Sequence, residues 1–103
     1  EHGIDLVLRG CPHLIITHAH KDDKMGAISC AIAASTLDLL VRAFGLGSCW
    51  AGFFDIAVSA DEILRKKIDL PEGHISYSSM MIGYPKYKYH RIPLRNPASI
   101  TWK

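Results

Sequence analysis

The feature of this sequence that most limits its fold is an apolar stretch from Ala27 to Phe44, which ends at a glycine. Ser35, Asp38 and Arg42 fall on one side of a helix, which leaves the rest of its surface almost wholly apolar. Asp38 and Arg42 are four residues apart with the acid first, so we expect them to support each other. Two charges and a length of about 17 residues favour a core helix over a membrane span. We therefore predict a central helix that other elements cover.

Composition is that of a soluble globular chain. The 103 residues allow one domain at most, and 49% are hydrophobic and 21% charged. The cysteines number three, and no two of them form a C-x-x-C pair, which argues against a disulfide framework or a bound metal cluster. These features favour a reducing compartment, and we predict a cytoplasmic protein. No leader pattern opens the chain, and the early apolar residues Ile4 to Leu8 suggest the C-terminal piece of a longer protein.

The segments on either side of the apolar helix read as an α+β domain. Pro12 to His18 is rich in β-branched residues and predicts a strand covered on both faces. Ser59 and Glu62 match a capping box, which predicts a helix with Ser59 as N-cap that ends near Ile68. Ile75 to Gly83 predicts a second strand. Residues 84–103 contain prolines and no helical period, so we expect an extended arm.

Charge is unevenly distributed along the chain. Residues 1–74 hold 7 basic and 10 acidic side chains, whereas residues 75–103 hold 5 basic and none acidic. Four of these cations alternate with aromatic residues in the arm, namely Lys86, Lys88, Arg91 and Arg95. Such a patch can hold a phosphate monoester or follow a nucleic-acid strand, and the alternative is a solvated tail.

The stretch from Gly45 to Phe53 is the strongest candidate for a binding segment. Gly45 suits a helix C-terminus, and Gly47 and Gly52 would let the backbone approach a flat ligand closely. The alternative is a helix cap followed by a packed loop. His18 and His20 could ligate a metal, but no third ligand is fixed nearby, so we predict no metal site.

Two motifs, GLGSCWAGF and GYPKYKYHRIP, resemble the C-terminal half of the nitroreductase family of flavoproteins. The likeness is greatest to the branch that often has an N-terminal ferredoxin-like domain. CPHLIITHAHKDD and the central helix match in collinear order, so that nearly the whole chain is covered. The resemblance implies a nitroreductase-like fold, with an antiparallel sheet around a central buried helix. Residues 1–103 would be the C-terminal part of one flavin-binding domain, with an extended arm.

The resemblance also implies FMN bound at a homodimer interface. A nicotinamide nucleotide or another donor would reduce it, and a nitroaromatic, quinone or similar acceptor would take the electrons. The segment over the flavin ring would be Cys49, Trp50, Ala51 and Gly52, with backbone N–H groups of the last two near the reactive N5. Arg91 fits the family's Arg-x-Pro position for the phosphate, and Lys88 is the second cation. No catalytic side chain is implied, because the cofactor performs the chemistry.

The chain departs from the family pattern at its beginning. The N-terminal phosphate motif and the ferredoxin-like cysteines would precede Glu1, so these 103 residues hold about half of a flavin site. Two other functions stay open from the residues alone. One is a nucleic-acid or anion-binding module that uses the basic arm, and the other is a non-catalytic dimerisation fragment.

Overall fold

Three strands form an antiparallel sheet whose central strand is the last in the chain. The computed structural model describes residues 3–103, so Glu1 and His2 of the predicted domain lie outside the described residues. The strands lie in the order β1-β3-β2 and comprise β1 (His13–His20), β2 (Gly47–Trp50) and β3 (His74–Gly83). The helices are α1 (Gly26–Leu40), α2 (Gly52–Ala60) and α3 (Glu62–Ile68). The predicted α+β class is confirmed.

Strand β1 pairs with β3 along its whole length, with a bulge between Thr17 and His18. Its residues alternate between exposed and half-buried. The prediction that β1 is covered on both faces is therefore wrong. The reason is position: β1 is an edge strand, whereas the central strand β3 is buried from Ser78 to Met80.

The core lies on both faces of the sheet. On one face Ala34 of α1 and Val41 pack with Met80 and Ile82 of β3. On the other face the α2 residues Phe54 and Val58 form a second cluster that includes Met81. Because neighbouring residues of a strand point to opposite faces, β3 supplies both clusters. The molecule therefore has helices on either side of a three-stranded sheet.

Helix α1 is covered by this chain on its sheet side only. Its outer face exposes Ile28, Ile32 and Leu39, which are 52%, 62% and 78% accessible. Among residues 3–103, one segment, Gly26–Phe44, is long and apolar enough to cross a membrane by length and composition. Its inner face packs against β1 and β3, and 17% of the segment is buried within this chain. The prediction that other elements cover this helix is therefore met on its sheet side and not on its outer face.

The region between α1 and α3 is more regular than the sequence indicates. A 3₁₀ turn at Val41–Phe44 ends at Gly45, which has the predicted left-handed conformation with φ 71°. The expected loop then contains β2 and the start of α2. The predicted N-cap Ser59 lies inside α2, and the N-cap of α3 is Asp61. Asp61 is the N-cap in place of Ser59 because its carboxylate accepts hydrogen bonds from two backbone N–H groups of α3.

The first residue of α1 allows a test of how closely this helix approaches the sheet. A Cβ atom at Gly26 would lie 2.9 Å from Cβ of Ala19, whereas a Cβ atom at Gly52 would meet nothing within 4 Å. We expect Gly26→Ala to lower the free energy of unfolding by about 1–3 kcal/mol, because α1 must move off β1. Gly52→Ala is the matched control and should leave stability unchanged or slightly raised.

Urea unfolding followed by circular dichroism measures both variants. Equal stability of Gly26→Ala and the parent chain would contradict the close packing of α1 on β1.

Candidate functional site

The predicted binding segment lies where β2 ends and α2 begins. Cys49 and Trp50 are the last residues of β2, Ala51 is the N-cap of α2, and Gly52 is its first residue. Cys49 and Gly52 are exposed, and Trp50 is 44% accessible. Ala51 is buried beneath them at 2%. The segment therefore offers a surface of backbone, thiol and indole.

Only one of the two predicted backbone amides is free to face a ligand. The N–H of Ala51 donates to the carbonyl oxygen of Ser79 at 2.9 Å, which removes it from the role that the resemblance implies. The N–H of Gly52 belongs to the first residue of α2 and has no intrahelical acceptor. The space above Gly52 is open, since a Cβ atom there would touch nothing within 4 Å. A planar group can therefore approach Gly52 closely.

Asp55 fixes the position of this segment, and it was not among the residues predicted from the sequence. Its Oδ2 accepts a hydrogen bond from the N–H of Ser79 at 3.1 Å. Ser79 is thus bonded twice to the start of α2, through Ala51 and through Asp55. The signal was present in the sequence, because Asp55 is the only charged residue of the apolar helix Gly52–Ala60.

An open groove of about 1070 Å³ joins part of this segment to the basic arm. Cys49 and Lys88 both line it, so two predicted site residues meet at one surface. Arg91 lies further along the arm and does not line the groove. Trp50, Ala51 and Gly52, which lie outside the arm, do not line it either. The arm after Gly83 has no helix or strand, as predicted, and it is exposed throughout.

The expected pair between Asp38 and Arg42 does not form. Asp38 instead accepts a short hydrogen bond from the hydroxyl of Ser48, which ties α1 to β2. Within residues 3–103, the ion pairs are Lys66–Glu62 and a longer contact between His20 and Asp22. Arg42 therefore has no carboxylate partner there and lines the groove.

The two histidines considered as metal ligands meet a third across the sheet. Nδ1 of His18 lies 2.9 Å from Nδ1 of His74, which is a hydrogen bond between two rings. The ring of His20 lies 5.8 Å from that of His74, edge to face. In the part of the chain that the structure describes, no group of three or more His, Cys, Asp or Glu residues is placed to hold a metal.

The sequence matches the model of the Nitroreductase family over residues 1–84. This match covers most of the chain, and the chain therefore belongs to the nitroreductase family. The expected resemblance is confirmed.

Solved structures support the same fold. A nitroreductase with bound FMN from Bacteroides fragilis superposes with a TM-score of 0.75 at 21% identity, covering 92% of this chain and 52% of that one. A nitroreductase with bound FMN from Desulfitobacterium hafniense gives 0.73 at 20% identity, covering 93% and 53%. An FMN-dependent nitroreductase from Clostridium difficile gives 0.65 at 24% identity, covering 82% and 52%. The chain thus spans about half the length of these proteins.

Replacing Asp55 tests whether it holds the binding segment against β3. We expect Asp55→Ala to lower the free energy of unfolding by about 1–3 kcal/mol, because the N–H of Ser79 loses its acceptor. Hydrogen exchange at the amides of Ala51 and Ser79 should also become faster, since both lie at this joint.

The matched control is Asp22→Ala, which removes an aspartate whose side chain is 77% accessible. Its stability should stay within about 0.5 kcal/mol of the parent. Unchanged amide exchange at Ser79 in Asp55→Ala would contradict the positioning role.

Proposed function

We propose that this chain forms part of an FMN-dependent oxidoreductase of nitroreductase type. It would pass electrons from a nicotinamide nucleotide or another donor to a nitroaromatic, quinone or similar acceptor. Family membership and the fold of the FMN-containing neighbours support an oxidoreductase that uses a flavin. The flavin, when bound, supplies the hydride chemistry, and the residues of this chain supply placement.

The observation on which this proposal most depends is the open space above Gly52. A flavin ring needs a flat, unobstructed backbone surface, and the missing Cβ at this position provides one. The N–H of Gly52 is free to donate to a ring nitrogen, while Trp50 and Cys49 border the same surface. Ala51 lies beneath the surface and supports it, with its own amide bonded to Ser79.

The phosphate of FMN would be held by the arm. Arg91 and Lys88 are both exposed and are not ion-paired within residues 3–103. A guanidinium can form two parallel hydrogen bonds to phosphate oxygens, whereas the lysine adds a point charge. Arg91 is therefore the principal phosphate ligand and Lys88 the secondary one.

Homodimer formation is part of the same proposal. Helix α1 exposes Ile28, Ile32 and Leu39 on one face, and the arm exposes Leu94 and Trp102. Exposed apolar patches of this kind mark surfaces that another chain segment or subunit covers. The proposed location is the cytoplasm, which agrees with three cysteines that form no disulfide.

Visible absorption after incubation with FMN and desalting tests the flavin assignment. The parent chain should retain flavin bands, and Gly52→Val should lose them, because its branched side chain fills the open space above the backbone. Circular dichroism of Gly52→Val should match the parent. Absence of flavin from this chain and also from any longer protein that contains it would contradict the proposal, and normal loading of Gly52→Val would contradict the placement of the ring.

The phosphate assignment has its own test. We expect Arg91→Ala to weaken FMN binding by about 1.5–3 kcal/mol, the range for a hydrogen bond to a charged group. Binding of riboflavin, which has no phosphate, should be unchanged in the same variant. Arg95→Ala is the control, four residues further along the arm. Equal losses for FMN and riboflavin would show that Arg91 does not act on the phosphate.

A further inference from the structure

The groove between the sheet and the arm is strongly basic. Four cationic residues line it, and no aspartate or glutamate does. Those four are Arg9, Arg42, Lys86 and Lys88. None of them forms an ion pair within residues 3–103. Because like charges gathered in one concave surface repel each other, the arrangement favours an anion that neutralises them.

Arg9 is presented to the groove by a small, ordered turn. Both oxygens of the Asp5 carboxylate accept backbone hydrogen bonds, from Val7 at 3.0 Å, Leu8 at 2.8 Å and Gly10 at 3.2 Å. These bonds, with that from Leu8 the strongest cause, lower the pKa of Asp5. Arg9 itself has φ 51°, a conformation that costs energy for any residue other than glycine. The Asp5 carboxylate is thus bonded to the backbone of the turn, while Arg9 lines the groove. Burial and, second, the charge of Asp5 raise the pKa of Cys11, so one carboxylate charge does act on the groove lining.

Arg42 is presented by the 3₁₀ turn after α1 and lines the same groove. Its nearest carboxylate in sequence, Asp38, is occupied by the hydroxyl of Ser48. Nζ of Lys86 lies 5.6 Å from the centre of the Tyr87 ring, within the range of a cation–π contact. Two arginines and two lysines from three separate parts of the chain therefore line one surface.

We propose that this groove binds a phosphate-bearing anion, with Arg9 and Arg42 as its ligands. Lys88, already assigned to the flavin phosphate, lines this groove, whereas Arg91 does not. What goes beyond the proposed function is the assignment of Arg9 and Arg42 as phosphate ligands. The identity of the natural ligand rests on the proposed function, since both FMN and a nicotinamide dinucleotide contain phosphate. The existence of the site rests on the groove alone.

Phosphate explains the groove better than other anions. Guanidinium groups match phosphate oxygens with paired hydrogen bonds, and four cations exceed what a single carboxylate requires. A volume of about 1070 Å³ suits a nucleotide-sized ligand. A long nucleic acid is disfavoured, because residues 1–74 contain more acidic than basic side chains and would repel a strand beyond the groove.

Calorimetric titration of the 103-residue chain with inorganic pyrophosphate tests the site without any flavin. We expect saturable binding, which the double variant Arg9→Gln and Arg42→Gln weakens at least tenfold, as for loss of charge-assisted hydrogen bonds. Arg65→Gln is the matched control, since Arg65 lies on α3 outside the groove, and it should bind as the parent does. Circular dichroism verifies that each variant is folded, and Lys86→Gln serves as a second variant if the double variant unfolds.

Several outcomes would overturn the proposal. These are no binding of pyrophosphate, equal binding by the parent and the groove variants, or an equal loss in Arg65→Gln. Retention of flavin without pyrophosphate binding rejects this site and leaves the flavin function standing. Pyrophosphate binding, with no flavin retained by this chain or by a longer protein that contains it, rejects the flavin function and leaves this site standing.

Competition then identifies the natural source of the phosphate. Displacement of pyrophosphate by FMN but not by riboflavin assigns the groove to the cofactor. Displacement by ADP-ribose but not by adenosine assigns it to a dinucleotide donor. Failure of both FMN and ADP-ribose to displace pyrophosphate would overturn the assignment to this oxidoreductase's ligands.

Discussion

The pairing of β3 with strands on both sides is the interaction on which the rest of the structure depends. Met80 and Ile82 receive α1 on one face of this strand, and Met81 receives α2 on the other. The backbone of Ser79 continues the contact beyond the end of β2, where it bonds both Ala51 and Asp55. One strand therefore joins the two cores and fixes the backbone of the binding segment.

The elements with a clear hydrophobic period could be predicted from the sequence. The strands near Pro12 and Ile75 and the helix from Gly26 onward all agree with the structure to within a few residues. The short strand β2 could not be predicted, because Gly47 and Ser48 have little preference for strands and pair only through the partner β3. Strand β2 therefore forms because of its pairing with β3, not because of the local preference of its residues. The capping box at Ser59 failed because Asp61 offers a competing cap two residues later.

The candidate site residues that come from a contiguous motif could be proposed from the sequence, and they stay a prediction. Cys49 to Gly52, Lys88 and Arg91 were predicted from the family resemblance. Arg9 and Arg42 were not, because they are far apart in sequence and come to one groove only through the fold. The Ala51 amide was assigned a ligand role because a motif gives no account of which backbone groups the sheet already uses. In the folded chain the amide of Ala51 is bonded to Ser79, so the proposed ligand role can belong only to the amide of Gly52.

The position of β3 in the chain also governs how the protein acquires its fold. Its partners begin at His13 and Gly47, so the sheet closes only when the final strand, ending at Gly83, is available. During synthesis, the apolar helix α1 leaves the ribosome well before the strand that covers its inner face. Contacts between distant parts of a sequence form slowly, and exposed apolar segments aggregate in the interval. Production of this chain should accordingly depend on chaperones or slow translation more than its small size suggests.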